Sequence, residues 1–179
     1  MRLTPERVAD EYEWIRGRAD AVVPVINEVR AGLGDLFETD VDDVTADAYR
    51  EEVDTVFADG DRAVNVAALV AVLRELDVEG DYPGFVVDEF LGRELAGTIA
   101  GTQPLRLLGE ATFHYADVSV HADEGGEARS ASGERAGDAR ETAGEDDLDA
   151  ALAAGFQTRL PGWDWRESES PFAVERADD

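Results

Sequence analysis

Few residues in this chain are placed to do chemistry, and most of them lie in two short stretches. Glu110, His114, Asp117 and His121 follow one another at steps of four, three and four. On a helix that spacing sets two imidazoles and two carboxylates along one side, the donor types that suit a divalent transition metal. The same helix puts Leu108, Thr112 and Tyr115 on the opposite side. Ligands for a metal inside a bundle must face inward, and the Glu-x-x-His pairs of di-iron bundles are missing. A solvated polar face accounts for the strip better, and neither a metal nor another cofactor is predicted.

The second stretch holds Glu94, which shares its helical direction with Val87, Phe90 and Thr98 in the most apolar part of the chain. A carboxylate buried there must be paired or carry a raised pKa. Asn65 points to the side that bears Leu69, Val72 and Leu76. Asn65, Glu94 and Thr98 are therefore the candidate lining of a small polar pocket. The competing account is a structural Glu–Arg pair, with Arg106 as partner, beside an asparagine near a helix start. No GxSxG, GxxxxGK or HExxH occurs. Gly32-Leu33-Gly34 follows a helix where a dinucleotide fingerprint must follow a strand. The acidic turn Asp77–Asp81 has Tyr82 where a calcium loop needs glycine. There is no cysteine, hence no disulfide, thiolate metal site or thiol nucleophile. These gaps favour a protein that is not an enzyme.

The elements that would position these residues are helical. Pro83 to Gly101 is too apolar to lie on a surface, and Gly92, Ala96, Gly97, Ala100 and Gly101 form rows of small residues that allow close helix approach. Glycine inside a helix costs about 1 kcal/mol relative to alanine, so tight packing is the expected compensation. Upstream, Val8, Tyr12, Ile15, Ala19, Val22, Ile26, Val29 and Leu33 recur at alternating steps of four and three. This heptad seam predicts one long helix from Thr4, kinked near Pro24 and ended by Gly32 and Gly34. A strict seam fits a bundle or a dimeric coiled coil, and the further apolar helices downstream favour the bundle. Thr45 starts a short amphipathic helix, and Asp59-Gly60-Asp61 opens an apolar one. That pair resembles a helix-turn-helix only superficially, because its second helix is too apolar to lie in a groove of DNA. Residues 104–120 fit a helix, although TFHYADVSV also has the composition of a strand.

From Asp123 to Asp147 no Leu, Ile, Val, Met or aromatic residue occurs. Such a segment cannot bury enough apolar surface to offset its ordering entropy. Beyond it, Leu152 and Phe156 share one helical face, and Trp163 and Trp165 stand two residues apart. These four are the candidate docking anchors, for the chain's own bundle or for a partner.

Composition sets the habitat. The formal net charge is −26, from 42 acidic residues against 16 basic ones, with no lysine. Unscreened, this charge would oppose compaction; at about 1 M salt the screening length falls to about 3 Å. The pattern is that of a halophilic cytoplasmic protein. The start, MRLTPERVADEY, lacks the apolar centre of a signal peptide, and no apolar run approaches a membrane span. Acidity is a weak argument about nucleic acid in such a setting, but no arginine patch favours that partner.

The expected architecture is all-α. It comprises a long-helix bundle of about five helices over 1–122, a disordered acidic linker over 123–147, and a short C-terminal helix with an aromatic tail over 148–179. The expected function is a non-enzymatic protein–protein interaction or assembly role, through a protein partner or self-association and without a membrane. The alternative is a ligand-binding or enzymatic bundle with its pocket around Glu94.

Overall fold

Thr4 caps the first helix with its side chain, accepting from the Arg7 N–H (3.2 Å), and Pro5 fills the first turn where no N–H is needed. A computed structural model describes residues 1–76, 87–127 and 143–163, among which there are seven α-helices and no strand. The protein is a helical bundle. Its helices are α1 (Pro5–Gly17), α2 (Ala19–Phe37), α3 (Ala46–Ala58), α4 (Gly60–Glu75), α5 (Arg93–Ala100), α6 (Leu105–Glu127) and α7 (Ala143–Gln157). A π-helical turn, Val87–Gly92, leads into α5. Residues 104–120, where strand composition competed, are helical from Leu105 on. Among the described residues no helix is long and apolar enough to cross a membrane.

The heptad seam is buried as its spacing requires, from Ile15 through Ala19, Val22, Ile26, Val29 and Leu33. The expected single helix is not what carries it. The chain breaks at Arg18, while α2 runs through Pro24 without interruption. At the break the Ile15 carbonyl accepts the Arg18 N–H (3.1 Å) and the hydroxyl of Tyr49 on α3 (3.0 Å). Both donors draw it out of the regular ladder, and the preceding Gly17 weakens the helix there. Nor do Gly32 and Gly34 end α2, which continues to Phe37 and closes on Glu38 in the left-handed conformation (φ 54°). Gly32 instead leaves room for the Tyr115 ring of α6.

Small residues organise the centre. Gly92 faces Phe113, Gly97 faces Glu110 and Arg106, and Gly109 faces Ala96 and Ala100. The reversed order shows that α5 and α6 run antiparallel. A methyl group added at Gly109 or at Gly155 of α7 would lie 2.9 Å from the same Ala96 carbonyl. Three helices thus meet almost backbone to backbone, which is the compensation that glycine in a helix needs.

Helix α7 packs against α2, α5 and α6, and every residue from Ala150 to Gln157 is buried. Leu152 and Phe156 share one core with Ile15, Val22, Tyr49 and Leu95. Of the acidic stretch 123–147, residues 128–142 lie outside the described residues, and the flanking helices reach Glu127 and begin at Ala143.

Candidate binding groove

Asp59 starts α4 by accepting the Arg62 N–H with its side chain (3.4 Å). The buried side of α4 is Ala63, Val66, Ala67 and Val70, so Arg62, Asn65 and Leu69 fall on the flank toward α5. On α5 the core side is Leu95, Ala96, Ile99 and Ala100, which leaves Glu94 and Thr98 one turn apart on the outer side. These two flanks form an open groove of about 700 Å³, which Gly101, Thr102 and Arg106 also line.

Asn65, Glu94 and Thr98 do come together there, but the setting differs from the sequence reading. Glu94 is not buried: its side chain is 51 % exposed, and Phe90, which was to share its buried direction, is exposed too. The wider π-helical turn before Arg93 changes the phase of this segment, so the apolar face counted from Pro83 on a regular helix does not carry through. The Glu94 carboxylate accepts from Arg106 Nη2 (2.7 Å), and the Thr98 hydroxyl donates to it at 3.5 Å. Arg106 also reaches Glu110 through Nε (2.9 Å). The Glu94 hydrogen bond, with both carboxylates' charge, holds the guanidinium pKa above its ordinary value. Gly97 makes this ion triad possible, since a methyl group there would lie 2.7 Å from Glu110 Oε1.

Gly101 adopts φ 115°, open to glycine alone, as the chain turns from α5 toward α6. A methyl group on it would sit 3.4 Å from Arg62 Nη2 and 3.5 Å from Arg159 Nη1. Arg159 is held by Glu52 (Nε to Oε1, 2.5 Å) and donates to the Ala100 carbonyl (3.3 Å). Two guanidiniums therefore flank the C-terminal end of α5, where the helix dipole favours positive charge.

The other candidates are placed as follows. Leu152 and Phe156 are wholly buried, and Phe156 meets Tyr49 edge-on at 5.1 Å. Trp163 is buried, donates through Nε1 to the Gln157 carbonyl (3.1 Å), and lies against Arg30 (5.6 Å from the ring centroid). Trp165 lies outside the described residues. Along the His114 face, Glu110 is engaged by Arg106, and among the described residues no cluster of carboxylates and imidazoles could hold an ion.

Among the described residues four charged ones prove to be buried, Glu11, Arg30, Asp147 and Asp149, and the sequence reading expected none of them. Arg30 donates to the carbonyls of Asp42, Gln157, Leu160 and Pro161 at 2.7–3.1 Å, stitching α2 to the chain on both sides of it. Its signal was faint: the lone basic residue of α2, one helical turn after the seam's Ile26. Glu11, fully buried, pairs with Arg7 and Arg74 at 2.6 Å each. Its place one turn before Ile15 was the clue.

The fold and the groove define a helical-bundle protein with a charged surface cleft. The chain belongs to the family DUF7984, described as a domain of unknown function, whose model matches residues 1–176. No curated protein and no solved structure matches it.

Proposed function

We propose that this protein acts by binding another protein, or a second copy of itself, and not by catalysis, in a cytoplasm of high salt. The observation that carries this reading is the pair Leu36 and Phe37, 68 % and 62 % exposed at the end of α2. Consecutive large apolar side chains left in water are a cost of about 25 cal/mol per Å², and such surface marks interaction sites. Leu152, Phe156 and Trp163 are used internally and are not offered to a partner, which leaves the contact to the end of α2, and Glu94 already has an arginine. High salt is supported by the charge of −26 without lysine.

The test is affinity capture and light scattering in molar potassium chloride with the wild type and a Leu36→Ser, Phe37→Ser double variant. A complex or oligomer formed by the wild type and lost in a variant of unchanged helicity is expected. A complex the variant retains, or a wild type that stays monomeric and captures nothing, refutes the reading. A second reading, a ligand-binding bundle, draws on the convergence of Asn65, Glu94 and Thr98 at one groove.

A further inference from the structure

The groove carries an inference that is independent of the contact made by Leu36 and Phe37. We propose that it binds a small organic carboxylate, whose acid group is held by Arg62 and whose apolar body lies on Ala68 and Leu69.

The first support is charge. In a chain of net charge −26, Arg62 and Arg106 both line one cleft, and the guanidinium of Arg159 lies beside that of Arg62 at Gly101. Two of the three are committed. Arg106 is divided between Glu94 and Glu110, and Arg159 between Glu52 and the Ala100 carbonyl. Arg62 differs. Among the described residues its guanidinium has one carboxylate, Asp59, at 3.5 Å. The other oxygen of that carboxylate, Oδ1, caps α4, and the pairing through Oδ2 is long beside the roughly 2.7–2.9 Å of a charge-assisted hydrogen bond. Arg62 therefore presents a planar fork of N–H donors, 22 % exposed, to the groove. Such a fork matches a carboxylate in a bidentate arrangement.

The second support is the rest of the lining. Asn65 stands one turn beyond Arg62 on α4, and Thr98 and Thr102 line the other wall. One turn further along α4 the lining becomes apolar, with Ala68 and Leu69 half-buried. Polar groups converging at one end of an apolar floor fix the orientation of a small ligand. The volume of about 700 Å³ lies in the range of small-molecule sites, roughly 300–1,000 Å³. Asp59, Asp61 and Glu94 on the same rim select for charge, since they repel a phosphate dianion more than a carboxylate monoanion. Molar salt screens the remaining field of the molecule over a few ångströms, while a contact hydrogen bond at Arg62 persists.

The experiment follows 4-fluorobenzoate by fluorine NMR in molar potassium chloride with the full chain. Saturable binding to the wild type is expected, with an affinity about tenfold or more weaker in Arg62→Gln, the equivalent of losing a charge-assisted hydrogen bond. Arg62→Lys keeps the charge without the fork and should fall between the two. Leu69→Asp should weaken binding with Arg62 intact. Helicity is recorded for each variant; should Arg62→Gln unfold, Arg62→Lys decides in its place. Absence of saturable binding to the wild type overturns the proposal, as does full affinity in a folded Arg62 variant. Inorganic phosphate competing as well as 4-fluorobenzoate would also overturn it, because the cleft would then be a general oxyanion site. None of these outcomes depends on Leu36 or Phe37.

Discussion

The Tyr49 hydroxyl sits where three helices meet. It donates to the Ile15 carbonyl at the break between α1 and α2, while its ring meets Phe156 of α7. Burial is the main cause that drives the phenol pKa far above its ordinary value of 10.0; the nearby Asp149 charge adds to the shift and Arg18 opposes it. A pKa raised on folding stabilises the protein while the unfolded phenol is neutral, and that stability is lost as pH rises beyond the ordinary value. Tyr49→Phe should therefore flatten the alkaline limb of the stability–pH curve. It should also cost about 1 kcal/mol at neutral pH for the lost hydrogen bond. Denaturant melts across the alkaline range decide this; an alkaline limb as steep in the variant as in the wild type would assign it to another group.

Among the elements, α7 has the most at stake. Phe156 has no exposed surface and shares its core with α1, α2, α3 and α5, so Phe156→Ala should destabilise by about 3–5 kcal/mol. Because the core is continuous, the loss should appear as one transition seen alike by Trp14 on α1 and Trp163 after α7. Two separate transitions would mean that α7 folds apart from the rest. What could be read in the chain beforehand was periodic. The seam from Ile15 to Leu33 and the small rows of α5 depend on spacing alone, and both are buried as that spacing implies. The helical wheel set Asn65, Glu94 and Thr98 together as the lining of a pocket within the bundle, whereas they line an open groove on its surface. Long-range contacts left no such trace. The break at Arg18 depends on Tyr49, 34 residues from Ile15. The central place of α7 depends on Arg30 reaching carbonyls 127–131 residues away. The exposure of Glu94 depends on a π-helical turn that a regular wheel cannot anticipate.

At the scale of the whole molecule, charge governs. Arginines are engaged across the surface, as in Arg16–Asp54 and Arg50–Asp47, yet 42 acids face 16 bases. Most of the acid excess must be screened by solvent ions if the bundle is to stay compact. Dialysis from molar salt into dilute buffer should therefore lower the helical circular dichroism signal, and restoring salt should recover it. Helicity indifferent to salt would remove the case for a high-salt habitat.

The reading of the molecule as a binding protein rests on what covers Leu36 and Phe37. Hydrogen exchange in molar potassium chloride, comparing the free chain with the complex it forms, addresses that contact directly. The account predicts slowed exchange at the end of α2, from Leu33 through Glu38, with the core helices unchanged. Protection gained elsewhere, with the end of α2 exchanging as fast in the complex as in the free chain, would contradict it.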